Sequence, residues 1–156
     1  MSIKKVRAFF AEMGIEKRVR EFDVSSATVD LAAEALGCEG ARIAKSMTFE
    51  NGLETIMVVC AGDTKIDNAK FKAQFLTKAK MLSPELLKER VGHEMGGVCP
   101  FAVNAGVKVY LDSSLKRFNE VFPACGSSNS AIGLTIPELE KYSNFSAWVD
   151  VTKPRE

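Results

Sequence analysis

Arg42-Ile43-Ala44-Lys45-Ser46-Met47-Thr48-Phe49, then Asn51-Gly52, then Leu53-Glu54-Thr55-Ile56-Met57-Val58-Val59-Cys60-Ala61 is the stretch on which the fold turns. Asn-Gly is the favoured dipeptide of a two-residue hairpin turn, because both of its residues tolerate positive φ. The second arm carries the β-rich run Thr55 to Cys60. The stretch predicts a hairpin with Lys45 on its first arm.

Helices surround it. Upstream, Ile3, Val6, Phe9, Phe10 and Met13 recur at helical spacing between a capping Ser2 and a terminating Gly14. A short strand is expected over Val19 to Phe22, and a second helix over Val29 to Leu36 with Thr28 as cap and Gly37 as stop. Downstream, a helix from about Asp67 to Leu76 sets Phe71 and Phe75 on one face. Ser83-Pro84-Glu85 opens another, closing near Gly92. Val107 to Leu111 alternates as a strand, and Asp112-Ser113-Ser114 caps a short helix. Strands at Val121-Phe122 and Ala131 to Leu134 flank a polar turn over Gly126 to Ser130, and Thr135-Ile136-Pro137-Glu138 is a capping box. Trp148 to Val151 reads as a last strand. Hairpins and helices in irregular order argue for an α+β fold over a doubly wound parallel sheet.

The chain of 156 residues, 46% hydrophobic and 26% charged, fits one soluble globular domain spanning residues 1–156. Its formal net charge of +1 gives no whole-molecule field towards nucleic acid or anionic lipid, so a polyanion must be held locally. Charges interrupt Met1 to Arg7, and no apolar run reaches membrane-spanning length. A cytoplasmic protein without a membrane partner is expected. Cys38, Cys60, Cys99 and Cys125 form no CxxC pair and share the chain with one histidine, His93. A structural zinc site is not expected, and reduced thiols are.

Two features could carry chemistry. Gly96-Gly97-Val98-Cys99-Pro100-Phe101 places two flexible residues where a ligand can approach bare N–H groups, with proline stiffening the exit. A tight turn after a helix explains the same residues; the functional alternative aims those N–H groups at a carbonyl or oxyanion. Lys45, between Ala44 and Ser46, would ordinarily point to solvent, or else reach a phosphate or a polarised carbonyl. Cys99 lies near His93 in sequence, which admits a cysteine hydrolase as a minor alternative to a buried thiol. His93 itself follows a helix end, where a surface cation suits the helix dipole. Lys65, Lys70, Lys72, Lys78 and Lys80 stand against the single acid Asp67 over 65–80. Lys70 and Lys72 are the first candidates for phosphate contacts, although a solvated helix face is the commoner role of such a run.

Taken in order, Ile43-Ala44-Lys45-Ser46, Asn51-Gly52, Ala61-Gly62-Asp63, Gly96 to Phe101, Val109-Tyr110-Leu111-Asp112 and Ala124-Cys125-Gly126-Ser127 make the chain resemble the YbaK-like family. Members are related to the editing insertion of prolyl-tRNA synthetases, and the resemblance runs from about Thr28 to Val151. It implies a curved, mixed, mostly antiparallel, barrel-like sheet with flanking helices. It also implies a trans-acting aminoacyl-tRNA deacylase without metal or organic cofactor, acting on the ester of a mischarged tRNA such as tRNA-Pro carrying alanine or cysteine. The partners implied are the aminoacylated tRNA acceptor end and a prolyl-tRNA synthetase. Carried over, Lys45 and Gly96 would be catalytic, Lys45 at the terminal adenosine. Gly97, Val98, Cys99, Pro100 and Phe101 would hold the aminoacyl group with Gly126, Ser127 and Ser128. A non-catalytic module binding tRNA or a synthetase is the rival from another class.

Overall fold

The computed structural model describes residues 2–155. Local signals set most of the helices. Thr28 Oγ1 accepts from Leu31 N–H ahead of α2 (Val29–Leu36), which Gly37 ends at φ 70°. Asp67 caps α3 (Asn68–Phe75), Ser83 caps α4 (Pro84–Val91), and Thr135 with Glu138 forms the full capping box of α5 (Ile136–Ser143). In α1 (Ser2–Glu12) the expectation fails at one atom. Ser2 is the first helical residue, and its Oγ donates to the Gly126 carbonyl at 2.6 Å.

The hairpin forms from β2 (Ile43–Asn51) and β3 (Glu54–Ala61), with Asn51 opposite Glu54. Its two loop residues are therefore Gly52 and Leu53, not Asn51 and Gly52. Gly52, at φ 63°, supplies the positive φ that the first loop position of a type II′ turn requires. This slides the register by two residues and sets Lys45 opposite Cys60. Every residue from Thr55 to Ala61 is buried, as a central strand covered on both faces demands. Met57, Val59 and Ala61 join the larger core with Phe10, Phe101 and Leu111; Ile56 and Val58 join a smaller one with Phe49 and Phe71.

The remaining strands are β1 (Arg20–Glu21), β4 (Thr64–Ile66), β5 (Val107–Asp112), β6 (Glu120–Pro123), β7 (Ser130–Ala131), β8 (Leu134–Thr135), β9 (Ala147–Val149) and β10 (Thr152–Pro154). Six build one mixed sheet in the order β8-β6-β2-β3-β5-β9; β1–β7 and β4–β10 are separate antiparallel ribbons. The antiparallel hairpin is its longest ladder, while β2–β6, β3–β5 and β5–β9 are parallel. The strand expected over Ala131 to Leu134 is split between β7 and β8 at Ile132-Gly133. Asp112, expected as a cap, also ties down the final ribbon: its carboxylate accepts from Ser114 N–H, Val151 N–H and Thr152 Oγ1 at 2.7–3.0 Å. No helix among the described residues is long and apolar enough to cross a membrane.

Glu138 also clamps α5 to the 3₁₀ turn Glu16–Arg18, through Arg18 Nη1 at 2.7 Å and Nη2 at 3.0 Å. That guanidinium, with the Thr135 backbone, holds the Glu138 carboxyl down at about 2. A depressed carboxylate adds stability above its unfolded value and loses it as pH falls through the folded one. Glu138→Gln should cost about 1 kcal/mol at neutral pH, the pair being partly exposed. Urea titrations should show that deficit intact above pH ~4.5 and gone near pH ~2.

Candidate functional site

The edge of β2 makes the site. β6 meets β2 only at Ile43 and Ala44, and further along Leu82 N–H donates to the Thr48 carbonyl while Glu50 N–H donates to Lys80. Successive residues of a strand direct their backbone groups to opposite sides. Thr48 and Glu50 bond outwards, so Ser46 also turns its N–H and C=O away from β3. Among the described residues no strand takes them. The Ser46 Oγ is likewise buried without a partner. Into this gap opens a cavity of about 350 Å³.

Five separate segments wall it: the β2 edge from Ile43 to Thr48; Ser26 to Val29 with Ala32; Met81, Leu82 and Leu87; Met95, Gly96 and Val98; and Phe122, Ala124, Ser130 and Ala131. The lining is mostly apolar, and Lys45 is its one charged residue. Lys45 is half-buried and its Nζ donates to the Thr64 carbonyl, which is itself fixed by a turn in which Thr64 Oγ1 donates to Ala61 at 2.7 Å. No carboxylate among the described residues pairs with it. Desolvation pushes its pKa below the ordinary lysine value, only partly countered by Cys60 and Asp63. A cation so placed lacks a counter-charge that an anionic ligand would provide.

The glycine loop contributes Gly96 and Val98 to the wall, whereas Gly97, Cys99, Pro100 and Phe101 stand behind it. Gly96 adopts φ 91°. Gly97 N–H is already committed to the Glu94 carbonyl at 3.0 Å, so of the two glycines only Gly96 keeps an N–H that no described residue accepts. Val98 N–H is in the same state.

Cys99 and Phe101 belong to the core, where Phe101 meets Phe10 at 4.8 Å between ring centroids. His93 is fully buried, not the surface cation its place after α4 suggests. Its Nε2 donates to the Phe101 carbonyl at 2.8 Å, with Cys99 Sγ 3.5 Å away, and its Nδ1 is buried without a partner. Burial lowers the His93 pKa and raises the Cys99 thiol to about 12. An imidazole whose Nε2 carries the proton cannot accept one from the thiol there, and a thiol held neutral is no nucleophile. Cys99→Ala should leave single-turnover hydrolysis within about twofold of the parent, in line with a residue that touches no reacting atom. A complete loss would reinstate the cysteine mechanism.

Gly126, Ser127 and Ser128 form a small cleft with Glu94, Met95 and Gly97 on the far side of the loop, outside the main cavity. They position its walls. A Cβ on Gly97 would lie 2.6 Å from Ser127 N, and one on Gly126 2.8 Å from the Ser2 carbonyl carbon. The loop, the turn and the start of α1 thus touch backbone to backbone. The Ser128 carbonyl accepts from Ser26 N–H at 2.6 Å, and Asn129 exchanges two bonds with Phe22. These hold the segment that leads into α2. Lys70 and Lys72 lie on α3; Lys70 Nζ is engaged by Asp150 at 3.1 Å and the Thr152 carbonyl at 2.9 Å, and Lys72 is exposed. Sequence reading passed over Ser26 to Val29, Ser46, Met81 and Met95. Only the exposure of Met81 and Met95, 58% and 70%, marks them, and that appears only on folding.

Residues 24–142 match the family described as "Aminoacyl-tRNA editing domain". The chain belongs to that family. This editing domain is 53% identical over 157 residues to the Bacillus subtilis (strain 168) protein YwhH, which is uncharacterised, with each chain wholly covered. It is 26% identical over 128 residues to a proline–tRNA ligase of Lactiplantibacillus plantarum (strain ATCC BAA-793 / NCIMB 8826 / WCFS1), covering 80% of this chain but only 22% of the ligase. Among solved structures, a candidate trans-editing enzyme for prolyl tRNA synthetase superposes with a TM-score of 0.87 at 26% identity, with 97% of both chains covered. The hypothetical protein APE2540, 22% identical, shares the fold at a TM-score of 0.79, covering 92% of this chain and 99% of its own.

Proposed function

We propose that this editing domain is a trans-acting aminoacyl-tRNA deacylase, and that its substrate is tRNA-Pro carrying a small non-cognate amino acid such as alanine or cysteine. The observation that carries the reading is the cavity itself: mostly apolar, bounded by an open strand edge at Ser46, with one desolvated cation and no cysteine, histidine or carboxylate in its lining. Water attacks the ester carbonyl, the bond to the terminal ribose breaks, and the ribose oxygen takes the proton. The Gly96 and Val98 N–H groups stabilise the negative charge that grows on the carbonyl oxygen. The aminoacyl group's own ammonium donates to the Ser46 carbonyl, and Lys45 holds the terminal nucleotide through its phosphate. Positioning supplies the larger part of the rate in such a site.

The likeness to a proline–tRNA ligase and to a candidate trans-editing enzyme for prolyl tRNA synthetase supports the choice of tRNA. A volume near 350 Å³ must take the terminal ribose along with the amino acid, which supports a small side chain. An apolar pocket separates side chains differing by one methylene by only ~1–3 kcal/mol, so neighbouring amino acids are hydrolysed at graded rates. The absence of any acidic or basic side chain but Lys45 from the lining also suits a non-catalytic tRNA-binding module. A panel of tRNAs mischarged with alanine, cysteine and serine separates the two: binding without hydrolysis of any member would reject the deacylase.

A further inference from the structure

In the lysine-rich segment over 65–80, Lys70 is held by Asp150 and Lys80 lies 3.3 Å from Glu50, while Lys65, Lys72 and Lys78 make no ion pair among the described residues. A different set of cations stands beside the cavity. Arg42 immediately precedes the wall residue Ile43, whose parallel partner on β6 is the wall residue Phe122. The Arg42 guanidinium rests 5.0 Å from the Phe118 ring centroid, and that of Arg117 rests on the same ring at 4.9 Å. Lys116 Nζ sits 4.5 Å over Trp148. Lys116, Phe118 and Trp148 share one open groove with Asn119, Ile136, Pro137 and the carboxylate Glu140.

The carboxylates near these cations form no ion pair with Arg42 or Lys116 among the described residues. Asp63 grips Arg117 at 2.6 and 2.9 Å, Glu140 accepts from Trp148 Nε1 at 2.8 Å, and the Glu120 carboxylate faces Gly133. Arg42 reaches only the Glu120 carbonyl, at 3.4 Å. An aromatic face fixes the position of a cation without cancelling its charge. The charge therefore stays available to an anion. The surface also leads back to the cavity, because Asp63 precedes Thr64, whose carbonyl holds Lys45.

We propose that Arg42 and Lys116, seated on Phe118 and Trp148, receive the backbone phosphates of the tRNA acceptor stem while its 3′ end enters the cavity; this rests on the editing reading above. The probe is an uncharged acceptor-stem minihelix RNA ending in CCA, titrated across salt concentrations. Arg42→Gln and Lys116→Gln should each lower the log–log salt slope by about 0.7 to 0.9 and raise Kd on the order of tenfold near 0.1 M salt. Arg42→Lys and Lys116→Arg, which keep the charge, should retain most of the slope. Unchanged slopes in the glutamine variants, equal losses in all four variants, or no binding by the parent protein would each overturn the proposal. If the parent binds the minihelix through these residues yet hydrolyses no mischarged tRNA, the surface stands and the deacylase reading falls.

Discussion

Lys45→Met should cut single-turnover hydrolysis of a mischarged tRNA by about 100- to 1,000-fold, the cost of removing one preorganised electrostatic partner from a water-poor site, while leaving the protein at least as stable as the parent. The two halves share a cause. Lys45 is pushed below its ordinary pKa because burial strips water from its ammonium, and the Thr64 carbonyl gives back only one hydrogen bond. Methionine fills similar space with no charge to desolvate. A lysine whose folded pKa is lowered costs stability while protonated, and that cost fades as pH rises from the folded value towards the ordinary 10.5. The stability gap favouring Lys45→Met should accordingly be widest at neutral pH and close towards pH ~10, as read by urea unfolding. Unchanged hydrolysis would remove Lys45 from the site; lost activity with a collapsed melting curve would make it structural.

Where a signal was local, the sequence carried it. Thr28, Asp67, Ser83 and Thr135 each cap the helix they precede, and Gly37 and Gly92 close α2 and α4 in the left-handed region, because a cap needs only residues within one turn. The hairpin was legible as a hairpin, yet its loop moved one position, since Asn51-Gly52 and Gly52-Leu53 both offer a glycine and cross-strand packing decides between them. Contacts distant in the chain were out of reach. The β4–β10 ribbon pairs Thr64 with Pro154, and no periodicity in three-residue strands announces such a partner. The same holds for the site. Lys45 and Gly96 were found and do line one cavity, but of the polar turn over 126–130 only Ser130 enters it. Gly126, Ser127 and Ser128 act on the loop from behind, through backbone contacts that leave no side-chain signature.

Gly97→Ala should therefore be the more damaging glycine substitution for folding, and Gly96→Ala the more informative one for catalysis. A methyl group on Gly97 would sit 2.6 Å from Ser127 N and 2.7 Å from the Gly126 carbonyl carbon. Neither can retreat, because Gly126 is itself wedged against the Ser2 and Ile3 backbone and bonded to Ser2 Oγ. Overpacking against fixed backbone costs about 3 kcal/mol, so Gly97→Ala should unfold at distinctly lower denaturant. At Gly96 the obstacle is conformational: φ 91° is strained for alanine, while the nearest atoms, Ala27 Cβ at 3.3 Å and Ser128 Cβ at 3.4 Å, leave bare room. Strain of about 1–2 kcal/mol should leave a folded protein whose loop N–H groups have shifted, and a misplacement of that kind costs on the order of 10- to 100-fold in rate. Single-turnover hydrolysis and unfolding measured on both variants separate the effects. Should Gly96→Ala keep full activity, the loop N–H groups do not meet the reacting carbonyl, and the charge on that oxygen must be stabilised from the β2 edge at Ser46 instead.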